Sequence, residues 1–144
     1  LQVQVFFQPY QRALSAIDFS LCACSALAQA CQLLPDTAEL HALHVFEPEK
    51  GTPKQVEEHL HLQTALIDRL MSDEAQNLPP GSPNLSHSVQ QGGILRALQE
   101  QLKVRRSELM VLGSHGRSAL SQALLGSLAQ HFLHKAPCDI LVVR

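Results

Sequence analysis

Residues 111–127, VLGSHGRSALSQALLGS, place three glycines and a serine at fixed spacing: Gly113, two residues, Gly116, nine residues, then Gly126-Ser127. This set of residue types suits the binding of an anion. Glycine lets the backbone turn sharply and come close to a bound group. A helix opening at Gly126-Ser127 would offer unpaired N–H groups and roughly half a positive charge. Ser127 adds a hydroxyl donor, and Arg117 a cation near the mouth. The spacing is neither the G-x-x-x-x-G-K-(S/T) of a P-loop nor G-x-G-x-x-G. Taken alone, the glycines also fit a plain strand-to-helix turn. Nucleophilic catalysis is not indicated: Asp18, His115 and Ser127 fall at predicted loop ends without a nucleophile elbow. No residue stands out as a base for activating water, which argues against a fast hydrolase.

Other side chains that could do chemistry read as structural. The chain has eight histidines and four cysteines. His59 and His61 diverge on a helix. His131 and His134 share a face, but no carboxylate completes a set there, and neither H-E-x-x-H nor C-x-x-C occurs, so no metal is expected. Cys22, Cys24 and Cys31 sit in an alanine-rich stretch, where free cysteine acts as a small hydrophobe. Two residues apart on a helix, Cys22 and Cys24 point about 200° away from each other, too divergent to pair. All four thiols, Cys138 included, are expected to be buried and free, as in a reducing cytoplasm. His44 reads as a satisfied core histidine and His115 as a hydrogen-bonded turn residue. The carboxylates Glu57, Glu58, Asp68, Asp73 and Glu74 read as a solvated helix face.

The elements that must position the glycine loop alternate in type. Strands are predicted at 13–17, 39–46, 84–90, 108–112 and 139–143. Helices are predicted at 21–34 (with Ser20 as N-cap), 53–74, 94–104 and from 127 to about 134. Strictly alternating strands and helices make a doubly wound parallel sheet with helices on both faces. On such sheets ligands bind outside the carboxyl ends of the strands. Asp18 to Ser20, Val45 to Pro48, Gly92 and the stretch from Gly113 onward are therefore the positions to inspect.

The chain of 144 residues has 45% hydrophobic and 17% charged residues and a net charge of −2. That balance fits one globular domain and lacks the basic footprint of a nucleic-acid or membrane-surface binder. No apolar run approaches the ~20 residues of a membrane span. The opening LQVQVFFQPYQR has neither a Met nor the layout of a secretory leader. Residues 1–10 are read as an N-terminal extension or linker remnant of a longer chain, and residues 11–144 as the domain.

The glycine spacing resembles the G-2x-G-9x-G-(S/T) signature of the universal stress proteins. Residues 107–117 resemble that family's DLIVMGTHGRS stretch, with Glu108 in the acidic place. APCDILVVR at 136–144 resembles its closing strand, AIDFS at 16–20 its first strand end, and LHVF at 43–46 its second. The resemblance implies five parallel strands in the order 3-2-1-4-5, the adenine-nucleotide alpha-hydrolase-like fold. It implies that Asp18 reaches the adenine and ribose of a bound ATP, and that Val45 meets the adenine edge. Gly113 and Gly116 would line ribose and phosphates. Gly126 and Ser127 would hold the distal phosphates through backbone amides and a hydroxyl.

The departures are a trimmed turn, Gly92-Gly93-Ile94-Leu95, and Leu128 where some members offer a second hydroxyl. The implied function is an ATP-binding (or AMP/ADP-binding) cytoplasmic stress-response sensor or adaptor, with or without Mg²⁺, and a homodimer through the last strand. It would be no enzyme, or at most a slow ATPase. The alternative is a nucleotide-free partner-binding or regulatory domain, such as one half of a tandem protein or a transporter tail.

Overall fold

The structure, a computed structural model, describes residues 9–47, 50–116 and 125–144. Arg117 and most of the predicted N-terminal extension lie outside the described residues. Nine elements follow the alternation read from the sequence: β1 (Arg12–Ala16), α1 (Leu21–Leu33), β2 (Glu39–Phe46), α2 (Pro53–Gln76), β3 (Asn84–Gln91), α3 (Ile94–Val104), β4 (Leu109–Gly113), α4 (Ser127–His134) and β5 (Asp139–Val143). The sheet has the order β3-β2-β1-β4-β5, and every neighbouring pair is parallel.

From β1 the chain steps outward to β2 and β3, then returns across the sheet to β4 and β5. Right-handed crossovers therefore put α1 and α2 on one face and α3 and α4 on the other. On the first face Ala26, Leu27, Ala30, Ile67 and Met71 pack on Ala13, Leu40, Ala42 and Val111. On the second, Ala97, Leu98, Leu102 and Phe132 pack on Leu14, Leu43, Val45 and Met110. The central strands are covered on both faces, so β2 is buried from Leu40 to Phe46. The edges β3 and β5 are only half-covered.

Side chains settle the ends of the elements. Ser20 caps α1, its Oγ accepting from Ala23 N at 3.1 Å. Thr52 and Gln55 form a reciprocal capping box on α2, with Pro53 at its first position. β4 starts at Leu109 rather than Glu108. The Glu108 carboxylate instead accepts from the backbone N–H groups of Gln11 and Arg12 at 2.9 and 3.1 Å and so fastens the entry of β1. One expectation is corrected. The four cysteines stand as free thiols, but only Cys31 is buried; Cys22, Cys24 and Cys138 are half-exposed. The alanine-rich face of α1 that meets the sheet carries Ala23, Ala26 and Ala30, and Cys22 and Cys24 flank it.

Candidate functional site

The reversal of strand order between β1 and β4 opens a cleft at the carboxyl ends of the strands. Its volume is about 950 Å³. Leu43, Val45, Leu98 and Leu112 form an apolar floor, and Ile94 and Leu95 form an apolar lip at the start of α3. Asp18 and Glu47 stand where β1 and β2 end, and Ser114, His115, Gly116, Gly126 and Ser127 line the cleft after β4 and at the start of α4. The lining of the cleft is mixed. Carboxylate acceptors, backbone and hydroxyl donors and hydrocarbon all face the same space.

Asp18 is fixed by its own turn. Its Oδ1 accepts from Ser20 N at 2.9 Å. Its Oδ2 lies so close to Gly116 that a Cβ there would stand 3.0 Å away. The following residue, Phe19, has φ +63°, the left-handed region that costs a bulky side chain of order 1–3 kcal/mol.

None of the three signature glycines needs a positive φ. Gly113 and Gly126 are required because chain passes against chain. A Cβ on Gly113 would meet Ala23 N and Cys22 C at 2.7 Å, in the first turn of α1. A Cβ on Gly126 would meet Ser114 O at 3.2 Å. In this structure the Gly126 amide donates to Ser114 O at 2.7 Å. Gly126 is the N-cap of α4 and gives it no side-chain cap. The amide donors at this end are those of the first turn, Ser127, Leu128 and Ala129, which have no intrahelical acceptor.

His115 is a hydrogen-bonded turn residue as expected, with Nδ1 2.8 Å from Ser114 Oγ. Its Nε2 is buried and finds no partner among the described residues. His44 is buried but only half satisfied. Nδ1 lies 2.6 Å from Ile17 O, and Nε2 has no partner among the described residues.

The structure brings Asp18, Val45, Gly113, Gly116, Gly126 and Ser127 to one cleft. Glu47, Ile94, Leu95 and His131 join them without having been singled out as site residues. Glu47 falls within the Val45 to Pro48 stretch that its place after β2 marks, and His131 could have been found from its four-residue offset from Ser127 on one helix face. Among the described residues, no group of three or more His, Cys, Asp or Glu is disposed to hold a metal ion. No helix among them is long and apolar enough to cross a membrane.

A doubly wound sheet with its cleft at the switch point and a glycine-bounded wall defines an α/β class, the adenine-nucleotide alpha-hydrolase-like fold. The sequence model of the Universal stress protein family matches residues 9–144, and the chain belongs to that family. It is 32% identical over 113 residues to Universal stress protein A homolog 2 of Coxiella burnetii, covering 74% of this chain and 75% of that protein. A shorter match, 38% identical over 56 residues, falls on Universal stress protein E homolog of Haemophilus influenzae; it covers 39% of this chain and 18% of that protein's length. Among solved structures, the universal stress protein UspA from Lactobacillus plantarum superposes with a TM-score of 0.79 at 24% identity, covering 96% of this chain and 100% of that one. A universal stress protein solved in complex with cAMP superposes with a TM-score of 0.71 at 22% identity, covering 95% and 98%.

Proposed function

We propose that this chain binds an adenine nucleotide, ATP foremost, in the cleft and acts as a cytoplasmic nucleotide-dependent sensor or adaptor of the stress response. The mixed lining of the cleft carries the reading. Asp18 supplies an acceptor for nucleoside N–H and O–H groups, Leu43, Val45, Leu98 and Leu112 supply an apolar floor, and the uncapped first turn of α4 supplies donors for phosphate. Family membership and a neighbour of the same fold holding cAMP support it. Mg²⁺ would accompany the phosphates of ATP. The protein performs little chemistry, at most slow hydrolysis, and works as a homodimer paired through β5.

Calorimetry and thermal shift with ATP and Mg²⁺ test the reading. At a dissociation constant of about 10 μM, about 1 mM ATP adds roughly 2.7 kcal/mol of stability. For a domain of this size that raises Tm by roughly 5–10 °C. Asp18→Ala weakens adenosine and ATP alike. Ser127→Ala weakens ATP more than AMP, because it removes a donor at the phosphate end. Gly126→Asp abolishes the shift by putting negative charge there. A wild-type protein giving no heat and no shift at millimolar ATP would leave the nucleotide-free, partner-binding domain as the better account.

A further inference from the structure

The strained turn at the end of β1 is held from the far side of the sheet. Leu43 and Val45 line the cleft, but His44, between them on β2, projects to the opposite face and lines no part of it. There the His44 ring sits 4.6 Å, centroid to centroid, from the ring of Phe19. Ile17 O can only accept, so His44 Nδ1 carries the proton and donates to it at 2.6 Å. Ile17 N in turn donates to Leu43 O at 2.9 Å. The residues on either side of Asp18 are therefore both fastened to His44, one by its backbone carbonyl and the other by its ring. This matters because Phe19 has φ +63°, and such geometry persists only where the surroundings impose it. His44 is 93% buried, and its Nε2 finds no partner among the described residues. A leucine would bury there at lower cost, so the ring contributes through its one bond and its tilted contact with Phe19.

We infer that His44 is a positioning residue for the nucleoside end of the cleft: its Nδ1–H and its ring hold the Ile17–Phe19 turn in the left-handed geometry that presents the Asp18 carboxylate to a ligand. The inference rests on the nucleotide reading for the ligand and on the turn geometry alone for the mechanism. It predicts an asymmetry. Losing the His44 bond affects whatever Asp18 touches and leaves the α4 end unchanged.

The experiment compares His44→Asn and His44→Gln in the full chain. An asparagine amide N–H takes the place of Nδ1, whereas that of glutamine takes the place of Nε2. Calorimetry with adenosine, ATP and inorganic tripolyphosphate reads the ligand. Amide hydrogen exchange at Ser20, whose N–H bonds to Asp18, reads the turn without any ligand. The expected result for His44→Gln is about tenfold weaker adenosine and ATP, the size of one lost hydrogen bond, with tripolyphosphate unchanged. Ser20 exchange should accelerate, and in an Asp18→Ala background the same change should add nothing. His44→Asn should stay within about threefold of wild type, a rescue that a merely space-filling role would not produce. Equal loss for adenosine and tripolyphosphate, or equal behaviour of the two variants, overturns the inference. If the wild-type chain binds no adenosine, the nucleotide reading falls instead. Ser20 exchange then decides alone: faster in His44→Gln upholds the positioning of Asp18, and unchanged refutes it.

Discussion

At the scale of single residues, buried histidines differ by how many of their ring nitrogens find partners. His41 finds two: Nδ1 and Nε2 each lie 2.7 Å from a serine hydroxyl, Ser86 and Ser88 of the neighbouring strand. The ring is only 6% exposed. Burial, with Arg105 and His87 adding to it, lowers its pKa from 6.5 to about 4. The native state therefore takes up this proton less readily than the unfolded chain. The stability present above pH 6.5 is lost as pH falls towards 4, by about 3 kcal/mol at most if the shift is fully expressed. His41→Gln keeps hydrogen-bonding groups but removes the titration. Urea unfolding from pH 7 to pH 4 should show the wild type losing about 2–3 kcal/mol more than the variant over that range. Parallel curves for the two proteins would show that His41 does not carry the acid sensitivity. The partners of His41 lie 45 and 47 residues away, so its local sequence did not reveal them. The same holds for His44, whose burial was legible but whose bond to Ile17 was not.

At the scale of elements, most of the fold was written in local pattern. Alternating strands and helices, Ser20 ahead of α1 and the proline break at 79–83 each depend on neighbouring residues, and the elements they delimit appear where expected. What local pattern could not supply is why a given glycine is a glycine. Gly113 looked like part of an anion cradle, yet its missing Cβ is what lets the first turn of α1 lie against the end of β4. That contact exists only after the chain has crossed the sheet. Gly113→Ala would drive a methyl into backbone atoms at 2.7 Å, which cannot rotate away as a side chain can. The displacement of α1 should destabilise by about 1–3 kcal/mol, the usual range for overpacking, seen as a lower urea midpoint with an unchanged slope. Gly93→Ala is the control. It meets nothing within 4 Å and has φ −66°, so the loss should stay below about 1 kcal/mol even with alanine as a poor N-cap. Equal losses in the two variants would sink the packing explanation. Because α1 also carries Ser20 and abuts the Asp18 turn, only Gly113→Ala should weaken adenosine binding as well.

At the scale of the whole molecule, the two edges of the sheet are treated differently. β3 is the polar edge, NLSHSVQQ, and its His87 is paired with Asp68 of α2 at 2.7 Å. β5, DILVV, has no lysine or proline to discourage pairing, and Ile140, Leu141, Val142 and Val143 are all partly exposed. Ser114 N donates to Val143 O at 2.8 Å, so the polar backbone groups of Val143 face inward toward β4. Alternation along the strand then turns those of Val142 and Ile140 outward. Pairing with a second copy across a two-fold axis would satisfy them and cover the apolar side chains. The expected species in light scattering at tens of micromolar is a dimer of the 15.8 kDa chain. Val142→Pro removes an outward N–H while leaving the ladder to β4 in place, since proline is tolerated on an edge whose donor faces solvent. That variant should scatter as a monomer and still bind nucleotide, because the cleft lies at β1 and β4. A wild-type monomer would remove the dimer from the proposed function. A dimer that survives Val142→Pro would move the interface away from β5, most plainly to the outer face of α2, where Leu62 and Leu66 stand 57% and 42% exposed.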